Sequence, residues 1–375
     1  MATIELQQVT KRFGSASVLK EIDLEVNDRE FFVLFGPAGA GKTSTLNVIA
    51  GIEPVTSGSI SFDGVVMNQA EPWERNVAMV FENYALYPHL SVKENIMSPL
   101  IGPKMKWNKA DAEREAQRIA DMLGIGKMLD RKPSQLSNGQ RQRIALGRVL
   151  VRSPNVFLMD EPLTHLDAKL RHAMRTELKE MQRNLNTTTI YVTHDYLEAL
   201  SLGNRIAVVN EGMIEQVGTP EEVYYSPATE FVARSFGEPE INILKAKISS
   251  VDGVTGVSLL EQESRFYEIP EHLNAAVRNI NRDVVHVGIR PRQVRISKDP
   301  KVGVQATVFA YEPIGAKATM TLQLGDTLIQ TIQASDLSVQ LDDVFYVDYD
   351  TSDILIFDPE TGRLIASSAA EGRGL

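Results

Sequence analysis

The stretch FFVLFGPAGAGKTS (31–44) decides how the rest of the chain is read. Phe31 to Phe35 are apolar without a break, the pattern of a strand covered on both faces. Residues 36–43 fit G-x-x-x-x-G-K-[ST], and TSTLNVIAG (43–51) follows as a short helix closed by Gly51. Strand, glycine turn and helix N-terminus in that order build a phosphate cradle. Loop N–H groups wrap the phosphate oxygens, and the positive end of the helix attracts them. The candidate nucleotide ligands are Gly36, Pro37, Ala38, Gly39, Ala40, Gly41, Lys42, Thr43 and Ser44. Lys42 would reach the β- and γ-phosphates, and the Thr43 hydroxyl would hold Mg²⁺. A plain flexible glycine turn would not need the buried strand before it and the helix after it.

The composition narrows the field. At 375 residues the chain calls for two or three domains, and 43% hydrophobic with 23% charged residues is ordinary globular material. Its 39 basic and 49 acidic residues leave a net charge of −10, which argues against general nucleic-acid binding. With no cysteine, disulfides and thiolate metal sites are excluded. The start MATIELQQVTKRF alternates apolar and polar residues and has no signal core, and no apolar run is long enough to span a bilayer. A membrane would therefore act through a partner.

Strand and helix patterns alternate up to Gly237. Ile4, Leu6 and Val9, then Ile22, Leu24 and Val26, trace strands, and Asp63-Gly64 marks a hairpin. SVKE (91–94) is a capping box, and residues 108–123 read as a charged amphipathic helix ending at Gly124. VFLMD (156–160) and TIYVT (189–193) are two more buried strands, so the fold class is α/β. After Gly237 short strands take over, with turn signals at Asp252-Gly253, Gly288, Gly315, Gly325-Asp326 and Asp358-Pro359. This reading gives two domains, 1–237 and an all-β domain over 238–375, a small barrel or sandwich.

Further chemistry lies downstream. VFLMDEP (156–162) ends a strand in two acids: Asp160 can anchor Mg²⁺ and Glu161 can activate water. LSNGQRQRIALGRVL (136–150) puts Ser137 and the Gly139 N–H at a helix N-terminus, a second phosphate-binding geometry. Its Arg141, Arg143 and Arg148 read as a solvated face. His194 ends the strand TIYVT, a place where histidine is usually structural.

Together, the P-loop, LSNGQ, the strand with Asp160-Glu161, LTHLD (163–167) and TIYVTHD (189–195) resemble the ATP-binding subunits of ABC transporters. VFENYALYPH (80–89), VGIRPRQVRI (287–296) and YEPIGAKA (311–318) resemble the carbohydrate-importer branch, the maltose and glycerol-phosphate type. The resemblance implies a P-loop ABC ATPase cassette with a helical subdomain, followed by an oligonucleotide-binding-like regulatory domain that does not bind nucleic acid. By the same resemblance Phe13 stacks on adenine, and Glu161 and His194 are catalytic. Ser137, Asn138, Gly139, Gln140 and Asp167 act across a head-to-tail dimer of two copies, and Thr43, Glu82 and Asp160 hold Mg²⁺. Tyr84, Leu86, Tyr87 and Pro88 form an exposed docking surface for one of two membrane permease subunits. An extracytoplasmic solute-binding protein supplies solute from the far side, so the chain sits on the cytoplasmic face of the membrane. Four positions depart from the family pattern: Phe13 where tyrosine or tryptophan is more usual, Glu82 for glutamine, Asn138 for glycine and His165 for asparagine. The alternative is a soluble ABC ATPase, but such proteins usually carry coiled-coil insertions or paired cassettes.

Overall fold

The computed structural model of the protein describes residues 2–81, 84–102, 105, 107–151, 154–164, 166, 168–185, 187–260, 265–278 and 283–368. Glu82 and Asp167, expected at the metal and the dimer interface, lie outside these residues, as does His165. The chain divides into two compact units, Met1–Pro220 and Glu221–Leu375. That division falls before Gly237, where the composition changes.

In the first unit, β1 (Ile4–Phe13), β2 (Ala16–Val26), β3 (Phe31–Phe35), α1 (Lys42–Ala50), β4 (Ser57–Phe62), β5 (Val65–Val66) and β6 (Val77–Val80) come first. An antiparallel sheet runs β2-β1-β4-β5. Ile4, Leu6 and Val9 are all buried, although the step from Leu6 to Val9 breaks a period of two. The register shifts there and Gln8 sits at φ 48°, so a bulge turns Val9 back to the core.

Three helices follow, α2 (Val92–Ile101), α3 (Lys109–Met122) and α4 (Asn138–Leu150). The capping box at Ser91 and Glu94 is present, and α2 runs on through Pro99. These helices pack on one another. At Gly147 of α4 even a methyl group would press within 3.2 Å of Ile96 and Leu123, so the helices approach closely there.

Then come β7 (Val156–Asp160), α5 (Ala168–Leu185), β8 (Thr188–Thr193), α6 (Tyr196–Leu202), β9 (Arg205–Asn210) and β10 (Met213–Gly218). The second sheet has the order β10-β9-β3-β8-β7-β6, parallel except for β10. Every residue of β3, β7 and β8 is buried, as expected for central parallel strands covered on both faces. Burying Phe31 and Phe32 alone contributes on the order of 1.5–3 kcal/mol each. Because β3 lies between β8 and β9, the carboxyl ends of β6, β7, β8 and β3 open along one edge, where α/β sheets place their ligands.

The second unit opens with α7 (Pro220–Tyr225, across the division) and α8 (Glu230–Ser235) and continues as strands. One sheet holds β11 (Asn242–Val251), β12 (Val254–Leu259), β13 (Phe266–Glu268), β14 (Val284–Ile289), β20 (Leu355–Phe357) and β21 (Leu364–Ser367). The short helix α9 (Asn274–Arg278) precedes β14. The other holds β15 (Val294–Ser297), β16 (Val304–Ile314), β17 (Lys317–Leu324), β18 (Thr327–Ala334) and β19 (Val344–Tyr349). Both sheets contribute to one core, and Asn242 ties them by hydrogen bonds to Ile289 O and to the backbone of Gln330. Gly288, read as a turn signal, instead lies inside β14, where a Cβ would stand 3.0 Å from Ile241 and Phe357. Among the described residues no helix is long and apolar enough to cross a membrane.

Candidate functional site

The phosphate cradle forms where β3 ends. Gly36 needs its missing side chain, since a Cβ would come 2.1 Å from Val209 O on the neighbouring strand. Gly41 takes φ 103° as the N-cap of α1, a conformation that a branched residue would not adopt without strain. Pro37, Ala38 and Gly39 are exposed, Ala40 and Gly41 are buried, and Ser44 is half-buried in the first turn of α1. Gly212 N donates to Ala40 O and Ala40 N to Pro37 O, which hold the loop's curve.

Lys42 is 5% exposed. Its Nζ donates to Gly36 O at 2.8 Å and Pro37 O at 2.9 Å and stands 3.7 Å from Glu161 Oε1. Burial lowers the pKa of its ammonium, and Glu161 and Asp160 pull it back up. The neighbouring Thr43 Oγ1 donates to Asp160 Oδ1 at 3.1 Å. A hydroxyl and a buried carboxylate side by side are hard oxygen donors, the set that suits Mg²⁺.

Glu161 leaves the end of β7 at φ 44°, unusual for a residue with a side chain, and its N–H donates to Val192 O. That conformation swings the carboxylate toward the next strand end. There Oε2 meets His194 Nδ1 at 2.8 Å and accepts from Thr164 Oγ1 at 3.1 Å. His194 is exposed, as a residue reaching toward ligand should be. Lys42, Thr43, Asp160, Glu161 and His194 thus converge at one edge of one sheet.

The other expected residues are placed on other elements. Phe13 closes β1 of the antiparallel sheet and is 48% exposed, with the Lys11 ammonium 4.6 Å from its ring centroid. Lys11 is itself fixed by Glu53 and Pro54 O, both at 2.8 Å. Ser137 caps α4: its Oγ accepts from Gln140 N, and Gln140 Oε1 accepts from Ser137 N. Asn138 Oδ1 accepts from Arg141, and Gly139 is buried.

The loop after β6 corrects one expectation. Tyr87 and Pro88 are exposed and Leu86 is half-buried, but Tyr84 is only 7% exposed. Tyr84 and Ala85 have φ 62° and 42°, which turns Tyr84 inward. Arg148 holds that turn, donating to Ala85 O at 2.6 Å and Tyr84 O at 3.3 Å while lying 5.3 Å from the Tyr87 ring centroid. Asn95, fully buried on α2, accepts from Tyr87 N and donates to Tyr87 O, Leu90 O and Ser91 O. Arg148 is therefore no solvated residue, and neither is Arg143, which donates to Leu123 O. A cavity of about 500 Å³ lies beside the loop, with Tyr84, Leu86 and Pro88 on one side and Pro133, Asn138 and Arg141 on the other. Sequence reasoning missed Thr164, Asn95 and the anchoring role of Arg148. A polar asparagine among the buried residues of α2 was the one usable signal.

Residues 19–164 match the ABC transporter family. The chain is 42% identical to the sn-glycerol-3-phosphate import ATP-binding protein UgpC of Cereibacter sphaeroides, over 97% of this chain and 99% of that one. It is 41% identical to the trehalose/maltose import ATP-binding protein MalK of Thermococcus litoralis, over 97% and 100%. Among solved structures, the dimeric bacterial ABC transporter cassette MJ0796 matches with a TM-score of 0.53 and 30% identity, covering 58% of this chain and 98% of that one. With the P-loop cradle, the paired acids and the histidine gathered at one sheet edge, these likenesses decide the family: the chain is an ATP-binding subunit of the ABC transporter family.

Proposed function

We propose that this chain hydrolyses ATP to drive import of a sugar or a sugar-phosphate-like solute through two membrane permease subunits. It would work as a head-to-tail pair of identical copies at the cytoplasmic face, with a solute-binding protein on the far side. What carries the reading is the convergence of Lys42, Thr43, Asp160, Glu161 and His194, together with near full-length likeness to import subunits. Those likenesses disfavour the soluble alternative.

In this reading the loop N–H groups and Lys42 hold the phosphates, and Thr43 and Asp160 hold Mg²⁺, which would offset phosphate charge as it develops. Glu161 takes the proton from the attacking water, and His194, on the same carboxylate, orients the γ-phosphate side. Phe13 offers its open ring to the base. Ser137, Asn138, Gly139 and Gln140, with Asp167, complete the partner copy's site. Glu82 would add a third oxygen ligand to Mg²⁺. Tyr87, Pro88 and Leu86, anchored through buried Tyr84, receive a permease segment. The first domain (1–237) is the ATPase, and the all-β domain (238–375) regulates it.

Replacing Glu161 by glutamine keeps the shape but removes the base, so turnover should fall by ~10²–10⁴ while ATP still binds and dimers accumulate. In cells lacking the native gene, the parent chain should restore solute uptake and the Glu161→Gln chain should not. Near-normal turnover in that variant would overturn the assignment of the base.

A further inference from the structure

Arg171 of α5 touches neither the cradle nor the acids, yet it reaches both loops that carry the proposed hydrolytic pair. Its Nη1 donates to Asp195 Oδ2 at 3.1 Å. Its Nη2 donates to Thr164 O at 3.4 Å and Leu166 O at 3.3 Å, and its Nε lies 3.9 Å from Glu198 Oε1. Thr164 in turn donates its hydroxyl to Glu161 Oε2. On the other loop, Asp195 Oδ1 accepts from Leu197 N and Glu198 N at the start of α6, and Asp195 N donates to Thr193 Oγ1. The backbone on both sides of His194 is therefore fixed, and His194 meets the same Glu161 oxygen that Thr164 does.

The contacts close a ring that runs Glu161, Thr164, Arg171, Asp195, His194 and back to Glu161. Two of its members need outside restraint. Glu161 has a positive φ, and the His194 side chain is 52% exposed, so little packing holds its ring. A planar guanidinium can serve two carbonyls and a carboxylate at once, which a single ammonium cannot do with the same geometry.

We propose that Arg171 is a positioning residue for ATP hydrolysis, setting the distance between Glu161 and His194 without touching nucleotide. The proposal rests on the reading of Glu161 and His194 given above. In the full-length chain with Mg²⁺ and ATP, Arg171→Ala should lower kcat by ~10–100-fold with KM changed less than about threefold. Binding of a fluorescent ATP analogue should stay near the parent value. Arg171→Lys, which keeps the charge and most of the packing, should regain only part of that kcat at an unchanged unfolding midpoint. Combined with Thr164→Val, the Arg171→Ala loss in kcat should be less than additive, because both act on one carboxylate. Full kcat in Arg171→Lys alongside an Arg171→Ala protein that fails to fold would make the residue a structural clamp and overturn the proposal. So would an Arg171→Ala kcat near the parent's, or a fall matched by lost nucleotide affinity. Retained turnover in Glu161→Gln would instead sink the underlying reading, so the two failures are told apart.

Discussion

Glu198 shows how one side chain can tie stability to pH. It is 3% exposed, and its Oε2 accepts from Tyr191 OH at 2.9 Å and Thr193 Oγ1 at 2.7 Å. Burial raises its pKa and Asp195 adds to the rise, while the two hydroxyls and Arg171 pull the other way. A carboxyl whose folded pKa is raised binds its proton more tightly in the native state. Its contribution is complete below the unfolded value, about 4.3, and is lost as pH climbs through the raised folded value. Glu198→Gln keeps an oxygen for both hydroxyls and cannot ionise. The parent's unfolding midpoint should therefore fall relative to the variant's as pH rises from about 4 toward neutrality. Parallel midpoints across that range would show that the carboxyl does not titrate differently in the fold. The raised pKa was not legible in THDYLEAL, because it depends on α6 laying Glu198 against the fully buried Tyr191 of β8.

Between elements, α4 and the loop after β6 act as one piece. The N-terminus of α4 carries Ser137 and Gln140 in a capping box, and farther along the helix Arg148 grips Tyr84 O and Ala85 O. In the function proposed above, a permease segment pressing on the loop would thus push on the helix whose N-terminus carries Ser137. Arg148→Ala leaves two carbonyls without that donor and frees two positive-φ residues, so it should cost about 1–3 kcal/mol in stability. Limited proteolysis between Tyr84 and Leu90 should quicken, and binding to the membrane subunits should weaken. Unchanged cleavage would mean that Asn95 alone holds the loop. The P-loop was readable because its geometry admits few residues: no side chain fits beside Val209 O at Gly36. The inward turn of Tyr84 was not, since YALYPH looks the same whether its first ring faces in or out. The arginine that decides it lies on another element.

At the scale of the whole chain, the composition change at Gly237 and the division into compact units at Pro220 point to different boundaries. The helical pattern of α7 and α8 reads as a continuation of the ATPase, but their contacts belong to the strands that follow. Val232, Ala233 and Phe236 are fully buried, and Ala233 packs with Ile241, Leu355 and Phe357. Glu230 pairs with His286 of β14 at 2.7 Å, and Glu230 N donates to Gly362 O. Arg290 stacks 3.6 Å from the Tyr224 ring and donates to Tyr224 O and Phe236 O, and Ser367 Oγ donates to Tyr225 O. Apart from Ile241, these partners lie far from α7 and α8 in sequence, so no local pattern reveals them. A fragment of residues 221–375 should therefore fold with a single cooperative transition. A fragment of 238–375 loses the buried Val223, Val232 and Phe236 side chains, at ~1.5–3 kcal/mol each, and several hydrogen bonds, and should be less stable by on the order of 5 kcal/mol or more. Thermal unfolding of the two fragments, with a dye that reports exposed apolar surface, decides the matter. Equal midpoints and equal dye binding would return α7 and α8 to the ATPase and restore the boundary at Gly237.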